Sequence, residues 1–135
     1  SEINYLNYAT VGGDESAYAH ISAISKAYRD SAVGLSQLPV PKALAGTDLA
    51  LINALARIGQ VTNDFTLVNS DPLATMLALQ QYPDAVLALG NAFISLGKVY
   101  KDAGITLTKG QPGADFVNLI TDVAADQAAA RAKKP

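Results

Sequence analysis

Cysteine is absent from this chain of 135 residues. Disulfide staples, thiolate metal sites and cysteine nucleophiles are excluded with it. Histidine occurs once, at His20, and glutamate only at Glu2 and Glu15. A di-iron bundle needs four carboxylates and two histidines, so it lacks ligands here. Charge is also scarce: 16% of residues are charged, against roughly a quarter in an average domain. The ten Lys and Arg are scattered and the formal net charge is -2. With no basic stripe to release counterions, nucleic acid is not an expected partner. Long apolar runs are missing as well, so no membrane span is expected within the chain. No basic segment followed by an apolar one opens the chain either. It begins with Ser1 rather than Met. From this we expect a piece of a longer protein, with any targeting or anchoring segment outside it, and the balance points to an extracytoplasmic location.

What is present favours helix. Hydrophobic residues make up 50%, rich in Ala and Leu, with modest Val and aromatics. The length suits one domain with a real core. The organising stretch is 71–102. From Asp84 its apolar residues Val86, Leu89, Phe93, Leu96 or Gly97, and Tyr100 recur three or four apart and share one face.

Residues 1–13 read as a short N-terminal helix or arm, with Ile3, Tyr5, Leu6 and Tyr8 in an amphipathic patch and Gly12-Gly13 ending it. Core docking is the leading reading of this patch, with Tyr5 and Tyr8 as the candidate partner surface. The first long helix spans 14–38, with Asp14, Glu15 and Ser16 at its start. Its stripe is Tyr18, Ile21, Ile24 or Ser25, Tyr28, Ala32 and Leu35. Pro39 and Pro41 close it.

The second runs over 41–66 on Leu44, Asp48, Leu51 or Ile52, Leu55, Ile58, Thr62 and Phe65, close to a heptad. Asn53, Arg57, Gln60 and Asp64 form its polar face. Asp71-Pro72 is an N-cap followed by a first-turn proline, opening a helix over 71–102. Pro83 lies inside it, and a kink or break is expected near that residue. Gly104 suits the position just past the end. Ile105 and Leu107 are expected to tuck onto the bundle end, and a last helix is read over 114–132.

Residues suited to chemistry are few. His20 flanks the apolar stripe of its helix, and no serine-plus-acid arrangement can be tied to it by spacing; it is read as structural. Asn63, Asp64, Asn69 and Asp71 offer oxygens, but not in the order of a calcium loop, and capping accounts for them. The glycines fit neither phosphate-binding pattern. Gly90 and Gly97, one heptad apart, are read as close helix packing, with a small apolar cavity beneath them as the alternative. No catalytic, cofactor-binding or metal residue is assigned.

The expected fold is all-α: one domain over 1–135, a four-helix antiparallel bundle with a short N-terminal helix or arm. The expected function is that of a non-enzymatic structural or protein-interaction domain, an extracytoplasmic part of a larger envelope or surface protein. Its partner would be protein, a second copy or a neighbour, and no cofactor is expected. The alternative is a small apolar-ligand carrier.

Overall fold

The structure is a computed structural model that describes residues 1–105, 108, 110, 125, 126 and 128–133. Its elements are α1 (Glu2–Thr10), α2 (Ala17–Ser36), α3 (Ala45–Asp64) and α4 (Pro72–Asp102). Short 3₁₀ turns at Lys42–Leu44 and Phe65–Leu67 flank α3. No strand occurs among the described residues, and none of their helices is long and apolar enough to cross a membrane. The expected last helix falls largely outside the described residues; 125, 126 and 128–132 are helical.

The core shows how the rods run. Ile21 near the start of α2 packs with Ile58, Val61 and Phe65 near the end of α3 and with Ala78 and Ala85 in the first half of α4. At the opposite end, Ala32 of α2 meets Leu51, Ala54 and Leu55 of α3 and Ala92 of α4. Both α2 and α4 are therefore antiparallel to α3, and α3 is the central rod. The short α1 packs alongside these rods, and its Leu6 joins the first cluster.

Local chemistry sets the ends. Gly12 must lack a side chain, because a Cβ there would lie 2.7 Å from the Tyr8 carbonyl oxygen, and Gly13 has a φ of +68°. This tight corner folds α1 back onto α2. Asp71 caps α4 by accepting a hydrogen bond from the Ala74 N–H (3.1 Å). Past the end of α4, Gly104 takes a positive φ of +71°, its N–H donates to Lys101 O, and the Ile105 N–H donates to Tyr100 O. Those two bonds form a Schellman closure.

Of the kink or break expected at Pro83, a break does not occur: α4 runs on through that residue. Pro83 and Leu79 both lie on the exposed side, so the Leu79 carbonyl freed by the ring faces solvent. Two expectations are corrected. Pro41 stands outside the helix with ψ of 145°, and a 3₁₀ turn intervenes before α3. Ile105 is exposed rather than tucked away, and Leu107 lies outside the described residues.

Candidate functional site

The two ends of the bundle differ, and each holds a candidate. At the α1 end the unusual residue is Glu2, a charged side chain only 6% exposed. Its Oε1 accepts a hydrogen bond from the Tyr28 hydroxyl of α2 and its Oε2 one from the Tyr82 hydroxyl of α4, each 2.8 Å. Both oxygens are thus used, as a buried carboxylate requires. Burial raises the pKa of Glu2. Its own backbone N–H, the two hydroxyls and the positive charge of the Ser1 amino group together outweigh that, so its carboxyl lies below the usual glutamate value. Tyr28 and Tyr82 are pushed far above an ordinary phenol, first by burial and then by the hydrogen bond and charge of Glu2. This arrangement fastens three helices; phenols held protonated this firmly are poor acid–base groups.

Around it lies an aromatic group. Tyr5 is half-buried and stacks on His20, with ring centroids 4.8 Å apart and planes at 16°. Tyr8 meets Tyr5 edge-on at 6.4 Å and is exposed. Of the two tyrosines read as a partner surface, Tyr8 is the more open one. His20 is itself exposed, beside the core rather than in it.

At the far end the helices splay around an apolar groove of about 740 Å³. Leu35, Leu51, Leu55, Phe93 and Leu96 form much of its lining, and Leu38, Val40 and Leu44 reach it from the connection between α2 and α3. Its polar side chains are Ser31, Asp48 and Tyr100. Among the described residues, no Lys, Arg or His lines it.

Gly90 is buried and Gly97 half-buried, and neither lines this groove. The close approach between α2 and α3 is made at Gly59, which the sequence reading missed. A Cβ there would meet Arg29 Cγ at 2.8 Å and Tyr28 Cβ at 3.3 Å. Beside it the fully buried Ser25 donates its hydroxyl to Gly59 O (2.9 Å). The signal available was a small residue inside the apolar stripe of each facing helix. The oxygen-bearing residues of the α3–α4 connection have structural work: Asp64 accepts from Gln60 Nε2, and its carbonyl accepts from the Thr75 hydroxyl. No group of three or more His, Cys, Asp or Glu suited to a metal occurs among the described residues.

Comparison with protein-family models, with curated proteins and with solved structures found no match.

Proposed function

We propose that this chain is a non-enzymatic protein-interaction domain that meets a second copy of itself through the outer face of α4. The observation that carries this is the exposure of Leu73, Met76, Leu77, Val86 and Leu87 on a helix whose other face is already in the core, with Leu73 64% exposed. Between 72 and 97 the only charged residue is Asp84. A helix apolar around most of its circumference is normally covered on both sides. A face with so little charge selects no charged partner, and a like face matches it chemically. A net charge of -2 adds little repulsion between copies. The same low charge supports an extracytoplasmic place in a larger envelope or surface protein.

Sedimentation velocity over a wide concentration range tests this. Reversible self-association is expected, lost in Leu87→Glu with the helical circular dichroism unchanged. A strict monomer at the highest concentration would refute it.

A second reading, a small apolar-ligand carrier, is favoured by the groove, whose volume lies within the roughly 300–1,000 Å³ of small-molecule sites.

A further inference from the structure

We propose that the groove binds an amphipathic small molecule with an alkyl body and a cationic head. This rests on the ligand-carrier reading and adds the chemistry of the ligand. The floor, Leu51, Leu55, Phe93 and Leu96, offers only carbon to the body. The polar side chains are not evenly spread. Asp48 stands in the first turn of α3 and Tyr100 in the last turn of α4, and the antiparallel packing brings those two helix ends to the same end of the bundle.

Asp48 is half-buried on the groove wall, and among the described residues nothing donates to its carboxylate. The Tyr100 ring beside that end supplies the negative face that attracts cations. The charge that the described lining offers is the Asp48 carboxylate, which repels an anionic head. A cation meets a carboxylate and an aromatic face. The positive end of the α3 dipole opposes a cation beside Asp48, so the attraction comes from the carboxylate, from the Tyr100 ring and from the negative C-terminal end of α4. A head group there does not need to break a protein contact.

The probes are decyltrimethylammonium, decanol and decanoate, titrated separately into the full chain below their aggregation concentrations and followed by calorimetry. The cation should bind about fivefold more tightly than the alcohol, which is about 1 kcal/mol, as for a partly exposed ion pair. Decanoate should bind weakest. Asp48→Asn should bring the cation down to the affinity of the alcohol.

Gly34 supplies a second variant. It lines the groove on an exposed part of α2, and a Cβ there meets nothing within 4 Å. Gly34→Leu therefore starts a side chain in open space at the groove and favours the helix. It should abolish binding of the cation and the alcohol with no loss of melting temperature.

Equal binding of cation and alcohol by the unaltered chain would overturn the cationic head and leave the apolar carrier standing. Binding of none of the three would overturn both. Cation binding that survives Gly34→Leu unchanged would place the site elsewhere and overturn the proposal.

Discussion

The two ends of the bundle are built from the same kind of residue and finish differently. At one end α1 lies across the rods, and Ile21 and Phe65 beneath it are 0% exposed. At the other, the described helices stop around a groove whose rim residue Leu38 is 59% exposed. Among the described residues, what sets the first end apart is the nine-residue helix α1 and the carboxylate that fastens it.

The sharpest way to break this comparison is to truncate one large side chain at each end. Phe65→Ala should cost about 3–5 kcal/mol, because the cavity it leaves is sealed. Leu38→Ala should fall within about 0.5 kcal/mol of the unaltered chain, because its side chain is already half in water. Urea unfolding measures both, and similar costs at the two ends would remove the distinction.

A smaller effect is expected from Glu2→Gln, which keeps an acceptor oxygen but removes the charge that strengthens both tyrosine bonds. A loss of about 1–2 kcal/mol is expected at neutral pH. The folded pKa of Glu2 lies below the ordinary value of 4.5. Its contribution is therefore complete above that value and drains away as pH falls through the folded pKa. Unfolding midpoints of the two proteins should converge in acid, once the pH has fallen below the folded pKa of Glu2. A gap that stays constant would show that the charge of Glu2 is not what matters.

A change of opposite sign is expected beside the α1-end cluster, one residue from Val61. Thr62 Oγ1 is buried without a hydrogen-bond partner. Thr62→Val keeps the shape, removes the stranded hydroxyl, and should raise stability by about 1 kcal/mol. A lower melting temperature would show that the hydroxyl has a partner after all.

Much of this architecture was legible. The stripes of α2 and α3 place Ile21, Leu51, Leu55, Ile58 and Phe65 inside, and they are inside, because both helices carry polar residues on the opposite face. In α4 the periodicity misleads. Val86 reads as a core residue yet is exposed, while the smaller Ala85 and Ala92 are buried. A helix apolar on most sides has no contrast from which a face can be read. Glu2 was invisible for another reason. Its partners lie 26 and 80 positions along the chain, and a glutamate in a first turn ordinarily points to water. The groove was equally hidden, since its lining comes together only when α2, α3 and α4 pack. The cavity held as the alternative beneath Gly90 and Gly97 relied on glycine spacing, whereas the groove is lined by Phe93, Leu96 and Tyr100 of the same helix.

Helix α4 is one rung short at Pro83, and the residue next to it is Tyr82, whose hydroxyl donates to Glu2. The first turn of the chain thus braces the longest rod at its weakest joint. Pulling out that strut would soften the middle of α4 as well as its near end, so amide exchange around residues 79–86 is a direct gauge of whether α1 is seated.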